Sequence, residues 1–234
     1  MKKCFIIFFT IVIMFCGCTE NSKKVAFVIN DVDVSRDELL FYMQRSSDII
    51  IATAEEKYGL DGTSADFWNK SMGDTTPLKL LKETAENEIV RSKVIQLAAQ
   101  KYGINSPLTY EKQQSVWEKD NDERLLQEQA GELLYGATLR SFYTYISLVL
   151  SEVENELKAS LSKDGIIKVT QQEIKEFYLD HPEYFTDGNK DYDSNEQNIQ
   201  TWIFNEKFEK YIDQLIKEAE IEYQNMDINP DLLD

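Results

Sequence analysis

The side chains best suited to covalent or acid–base chemistry are few in this chain and poorly placed for it. The three cysteines, Cys4, Cys16 and Cys18, all fall within the first eighteen positions. The single histidine, His181, is followed by Pro182, where a helix must stop, so it reads as a surface turn residue. Neither a catalytic triad nor a Cys–His pair can be assembled from these residues. There is no glycine-rich phosphate loop, no paired metal-ligand spacing and no dinucleotide fingerprint. Asp187, Asp191 and Asp193 flank Gly188 as in a calcium loop, but the glutamate that closes an EF-hand loop has no counterpart in register. That stretch reads as a solvated acidic loop, and no metal or cofactor is expected.

Aromatic side chains are the chemistry that remains. Phe142, Tyr143 and Tyr145, with Tyr135 just before them, lie on or beside an apolar helical stripe and widen it beyond what one packing partner needs. Phe67 and Trp68 form a pair inside an otherwise polar stretch. Rings of this kind offer area to an extended peptide, and the tyrosine hydroxyls add a movable hydrogen bond. Helix–helix packing is the competing use of the same residues. The peptide-binding candidates are therefore Phe67, Trp68, Tyr135, Phe142, Tyr143 and Tyr145, and no catalytic residue is expected.

The N-terminus has the layout of an export leader. Lys2 and Lys3 precede an apolar run from Cys4 to Phe15, which closes in Cys16-Gly17-Cys18 before the polar Thr19 to Ser22. As a helix rising about 1.5 Å per residue, the run covers roughly 20 Å, short of a hydrocarbon core of roughly 30 Å. Small Gly17 ahead of Cys18 resembles the lipobox of bacterial lipoproteins, with Phe15 standing where leucine is usual. The resemblance implies cleavage before Cys18 and a lipid on its thiol, giving an extracytoplasmic protein anchored to a bacterial cell membrane; a secretory signal without lipid is the competing reading. The expected division is a signal peptide over 1–17, a lipidated tether over 18–23 and a single domain over 24–234. Cleavage and acylation would leave a body of about 217 residues with no thiol for a disulfide or thiolate metal site, large enough for one sizeable core.

The formal charge of −17 becomes two units more negative if Lys2 and Lys3 leave with the leader. Such a surface repels phosphate backbones and anionic headgroups. Nucleic acid is excluded as an expected partner, and membrane attachment is expected through the lipid alone. Basic or unfolded polypeptide is electrostatically allowed.

The elements that must position these residues follow from periodicity and punctuation. Val25 to Ile29 reads as a strand, Asn30-Asp31 as a tight turn and Val32 to Val34 as the return strand. Ser35 and Glu38 form a capping-box pattern opening a helix with Leu39, Met43, Ser47, Ile50, Ala54 and Tyr58 on one face and Gly59 as its stop. A loop over 60–76 follows. Thr76 and Pro77 then open a helix that ends at Gly103. Ser106-Pro107 is expected to start a polar helix running to about Ala130. Thr138 is expected to cap the strongly patterned helix that bears Phe142, Ile146, Val149, Val153, Leu157 and Leu161. Thr170 and Glu173 make a second capping box for a short helix ending at His181-Pro182, and Ser194 is expected to cap the last helix. The alternation Ala219 to Tyr223 suits a strand added to the N-terminal hairpin. The expected fold is mainly α (α+β): a multi-helix body with a small antiparallel sheet built from both chain ends.

Two segments carry a family likeness. Val28-Ile29-Asn30-Asp31-Val32-Asp33-Val34-Ser35-Arg36-Asp37-Glu38-Leu39 resembles the opening of extracytoplasmic foldases of the SurA/PrsA type, with Asp31 where many members have glycine. Val169-Thr170-Gln171-Gln172-Glu173-Ile174-Lys175-Glu176-Phe177-Tyr178, followed by Phe185, is similar to the segment leading into their parvulin prolyl isomerase domain. In the family that domain would follow Phe185; here only the polar stretch 186–195 precedes the last helix. The resemblance therefore implies the helical chaperone body alone, binding unfolded or newly exported polypeptides without catalysis. An accessory or immunity-type lipoprotein with one dedicated partner is the second reading, and a prolyl isomerase the third.

Overall fold

The computed structural model describes residues 24–185, 191–224 and Ile228. The leader, the tether with Cys18 and the segment 186–190 lie outside the described residues, so the lipid anchor, the cleavage site and Asp187 have no structural account.

The first two strands are β1 (Val25–Ile29) and β2 (Val32–Ser35). Asn30 and Asp31 both adopt positive φ, 45° and 66°. Two successive left-handed residues make the hairpin turn whose twist matches the strands, and Asn and Asp are the non-glycine residues that tolerate it best. Asp31 therefore fills the position without glycine. The turn is also tied down: Asn30 N–H donates to the Glu220 carbonyl and the Asn30 side-chain carbonyl accepts from Glu220 N–H, both at 2.9 Å. That connection aligns β3 (Ile221–Tyr223) antiparallel on the other edge of β1, giving the order β2-β1-β3. Phe27 stacks on Tyr223 at 5.4 Å. The protein is thus mainly helical with a small three-stranded antiparallel sheet, and both ends of the described chain meet in that sheet.

Helix α1 (Arg36–Tyr58) begins at Ser35, whose hydroxyl accepts from Glu38 N–H at 3.2 Å. The expected reciprocal half of this capping box is corrected: the Glu38 carboxylate lies 2.6 Å from the Lys93 ammonium in the interior. Helix α2 (Pro77–Gln100) is capped by Thr76 as expected. The two Lys-Tyr-Gly stops work alike. Gly59 and Gly103 take φ 65° and 76°, and the next residue donates back to the carbonyl of Ala54 or Ala99.

Helix α2 is the axis of the molecule. Leu81, Ala85, Ile89 and Val90 pack with α1 and the sheet, through Leu39, Met43, Phe27, Ile29 and Val34. Further along, Ile95, Ala98 and Ala99 pack with Val153, Leu157 and Leu161 of α4 and Phe208 and Ile212 of α6. A helix clasped from several sides must be apolar on more than one face, which is why its second half lacks a clean polar stripe.

Helix α3 (Tyr110–Gln129) is capped by Thr109, so the expected start at Ser106-Pro107 is corrected. Residues 106–108 are held short of the helix by side chains of α2 and α3. Lys93 donates to the Leu108 carbonyl, Gln96 to the Pro107 carbonyl at 2.9 Å, and Gln113 to the same carbonyl at 3.2 Å. Helix α4 (Phe142–Lys163) is capped by Ser141, not Thr138. The reason is similar: Arg124 donates to the carbonyls of Tyr135, Ala137 and Thr138, and Trp117 and Asn121 donate to that of Arg140. With those carbonyls engaged sideways, the segment cannot start a helix. Helix α5 (Gln171–Asp180) has the full capping box expected of Thr170 and Glu173. Helix α6 (Tyr192–Glu218) is capped by Asp191, whose carboxylate accepts from both the backbone N–H and the hydroxyl of Ser194; Ser194 is the third residue of the helix and not its cap.

Candidate functional site

Helices α1 and α4 both rest on α2 and leave a cleft of ≈ 610 Å³ between them. Phe41, Arg45 and Ile49 enter it from α1 at intervals of four residues, one helical face away from the Leu39–Met43–Ile50 core stripe. Glu88 comes from α2 and Tyr143 from the first turn of α4. Ile49 is 69% exposed and, with Phe41 and Tyr143, supplies the apolar part of the lining.

The cleft has an aromatic floor in Phe41, backed by rings that lie outside the lining. Phe142 lies at the meeting point of three elements, 4.9 Å from Phe41 of α1, 5.4 Å from Tyr110 and 5.6 Å from Trp117 of α3. Phe41 also meets Tyr42 edge-on at 5.5 Å. Edge-to-face contacts of this kind lock ring orientation as well as burying area. Arg45 spans the wall: its guanidinium sits 4.8 Å above Tyr143 and 5.5 Å from Tyr42, and reaches Glu88 at 3.6 Å. That last distance is an ion pair without a hydrogen bond. Burial pushes the phenols of Tyr42 and Tyr110 up to about 12, helped by the nearby carboxylates of Glu38 for both and of Asp37 and Glu111 for Tyr110. Both rings are therefore neutral at physiological pH and present no charge to an apolar occupant.

Beneath this floor lies the Glu38–Lys93 pair, each side chain 1% exposed. Burial, the largest influence, raises the Glu38 carboxyl above its usual range against the opposing pull of Lys93. One Glu38 oxygen has no hydrogen-bond partner. The pair joins the start of α1 to α2 and, through the bond from Lys93 to the Leu108 carbonyl, to the entry of α3. It ties α1, which supplies Phe41, to α2, which supplies Glu88, and to the start of α3, whose rings pack behind Phe41.

Of the expected peptide-binding residues, Tyr143 is exposed on the wall of the cleft, and Phe142 lies half-buried behind Phe41, outside the lining. The others lie elsewhere. Phe67 is buried against Ala54 and Met72, and Trp68 packs half-buried onto it at 5.0 Å, because the 60–76 loop folds back over α1 and α2. That pair belongs to the core in this structure. Tyr135 is 90% exposed in the α3–α4 connection, where its carbonyl holds Arg124. Tyr145 is half-buried near Asp120 and Arg140, outside the lining of the cleft, with its phenol raised by burial. The expectation missed Phe41, Arg45 and Ile49. The signal was an isoleucine in polar phase, two turns after a phenylalanine on the same face of α1.

Among the described residues no three His, Cys, Asp or Glu side chains converge on a metal position. No helix among them is long and apolar enough to cross a membrane. No protein-family model, no curated protein and no solved structure matches this chain, so the likeness of the two short segments to the SurA/PrsA foldases stands on those residues alone.

Proposed function

We propose that this chain is an extracytoplasmic, lipid-tethered chaperone-like protein that takes unfolded segments of newly exported polypeptides into the α1–α4 cleft and releases them unchanged. The observation that carries this reading is the cleft itself, with Ile49 and Tyr143 exposed over an aromatic floor. Burying one aliphatic or aromatic side chain fully contributes roughly 1.5–3 kcal/mol. A client that covers two or three such groups gains enough to bind, while the cost of ordering an unfolded segment keeps the capture weak and reversible. A lipid on Cys18 would raise the local concentration of clients at the membrane, and the charge of −17 favours basic over acidic segments.

The test is the aggregation of an unfolded client, followed by light scattering with the mature chain at equimolar and higher ratios. The mature chain slows aggregation, and Ile49→Asp removes most of that protection while unfolding at an unchanged temperature, since Ile49 is exposed. No slowing at any ratio would overturn the reading. Acceleration of cis/trans exchange in a proline peptide would overturn its non-catalytic part, and capture of a single folded partner in place of many unfolded ones would favour a dedicated accessory protein.

A further inference from the structure

A second aromatic recess lies on α5 and α6 and shares no residue with the α1–α4 cleft. Phe177, Tyr184 and Trp202 line a volume of ≈ 340 Å³. Their ring centroids form a near-equilateral triangle, with separations of 5.9 Å for Phe177–Trp202, 6.0 Å for Tyr184–Trp202 and 6.2 Å for Phe177–Tyr184. His181 stacks beside them, 4.5 Å from Phe177 and 5.5 Å from Tyr184. The triangle sits on its own small core of Ile174, Phe185, Ile199 and Ile203, and the Thr170–Glu173 box holds α5 in place. The recess is thus built on a fixed support. Yet Trp202 is 45% and Tyr184 57% exposed, although a buried position for either ring would be favoured.

The surroundings indicate what would cover them. Glu183 accepts a hydrogen bond from the His181 Nδ1–H at 3.1 Å, and Glu206 lies one turn beyond Trp202. The nearby lysines are committed to carboxylates: Lys207 to Glu173 and Lys210 to Glu206, each at 2.5 Å. The cation–π contacts among the described residues are elsewhere, on Tyr42, Tyr143 and Phe208. The recess therefore combines three partly exposed rings with the Glu183 carboxylate held on the neighbouring His181, on a chain of charge −17. Ring faces carry the negative part of the aromatic quadrupole, so both features favour a cation.

We propose that this recess is a docking site for a cationic side chain, lysine or arginine, of a bound polypeptide. The charged head lies over the Phe177–Tyr184–Trp202 triangle, within the field of Glu183, and the aliphatic stem lies along the indole of Trp202. A neutral side chain of the same shape would bury the same apolar area, so the charge is what the site distinguishes.

The test compares two capped pentapeptides, one with a central lysine and one with norleucine in its place, titrated into the mature chain. Binding is followed through the indole N–H resonance of Trp202, assigned by its loss in Trp202→Phe. The lysine peptide shifts that resonance saturably and binds roughly two- to fivefold more tightly than the norleucine peptide, the scale of an exposed cation–π contact. The preference shrinks at high salt as Glu183 is screened. Tyr184→Leu abolishes it, and this exposed position leaves the unfolding temperature unchanged, so the comparison survives even if a change at Trp202 perturbs the fold. Equal or tighter binding of norleucine, or no shift of Trp202 by either peptide at millimolar concentration, would overturn the proposal. Ile49→Asp leaves the lysine preference intact, which separates this site from the cleft.

Discussion

Glu38 shows how one residue type in one position can serve two structures. Its place three residues after Ser35 fits a capping box, and the serine half of that box does form. The carboxylate instead meets Lys93, a residue on another helix, and is buried with it. Local spacing makes the box legible; the ion pair depends on how α2 crosses α1 and is not. Two charges removed from water contribute little net stability as a pair, but leaving one of them alone is costly. Lys93→Met, which strands Glu38 and the Leu108 carbonyl, therefore destabilises the protein by about 3–5 kcal/mol in urea unfolding. Adding Glu38→Leu to the same chain recovers most of that loss. In the single variant the pH dependence that comes from the raised Glu38 carboxyl grows, and its sign is definite. Without Lys93 nothing opposes the burial that raises the Glu38 carboxyl, so the folded state takes up a proton more readily than the unfolded chain. Stability of Lys93→Met accordingly rises as pH falls through the folded-state value of Glu38, and a profile without that rise would mean the carboxylate has found water.

At the scale of elements, helix stops were more legible than helix starts. Gly59 and Gly103 both take positive φ where the sequence places a stop, because few other residues adopt that conformation cheaply. No atom lies within 4 Å of a Cβ built on Gly59, so Gly59→Ala carries only the backbone penalty, about 1–2 kcal/mol by chemical denaturation. Starts were ambiguous because hydroxyl and acidic residues recur three apart, as in Thr138 and Ser141 or Asp191 and Ser194. What decides between them is tertiary: Arg124 pins the segment before α4, and no local pattern announces that. At α5 local and tertiary forces agree. Glu173 is held down to about 2, first by the hydrogen bond from Lys207 and then by the backbone N–H and hydroxyl of Thr170. A depressed carboxylate stabilises the fold above its unfolded value near 4.5 and loses that contribution as pH falls towards 2. The protection of the α5 amides, measured against the intrinsic exchange rate at each pH, therefore falls over that acidic window. Glu173→Gln flattens the dependence, and Thr170→Ala weakens the helix at neutral pH by about 1 kcal/mol.

For the whole molecule, the meeting of the chain ends in one sheet was legible from the alternation in Ala219 to Tyr223, whereas the cleft was not. A gap between two helices that share a third is set by crossing geometry, which the periodicity of α1 and α4 taken separately does not contain. The sheet has a consequence for assembly. Strand β1 begins the described chain and completes its pairing only with β3, after every helix has been made, so the core around Phe27 and Ile29 depends on the most distant contact in the sequence. Ending the chain after Glu220, which keeps the two Asn30–Glu220 bonds, removes the Phe27–Tyr223 stack and the cover that Ile221 provides to that core. The stack contributes roughly 0.5–1.5 kcal/mol and partial burial of one isoleucine about 1 kcal/mol more, so the shortened chain is less stable by about 2 kcal/mol. For a protein of this size that lowers the unfolding temperature by roughly 4–8 °C, as measured by circular dichroism. Because Phe41 and Ile49 ride on the same helix that β2 feeds, the loss extends to the cleft, and the shortened chain protects an aggregating client less well at temperatures where the full chain is still folded. Unchanged protection with a lowered unfolding temperature would instead mean that α1 holds its place on α2 without the sheet.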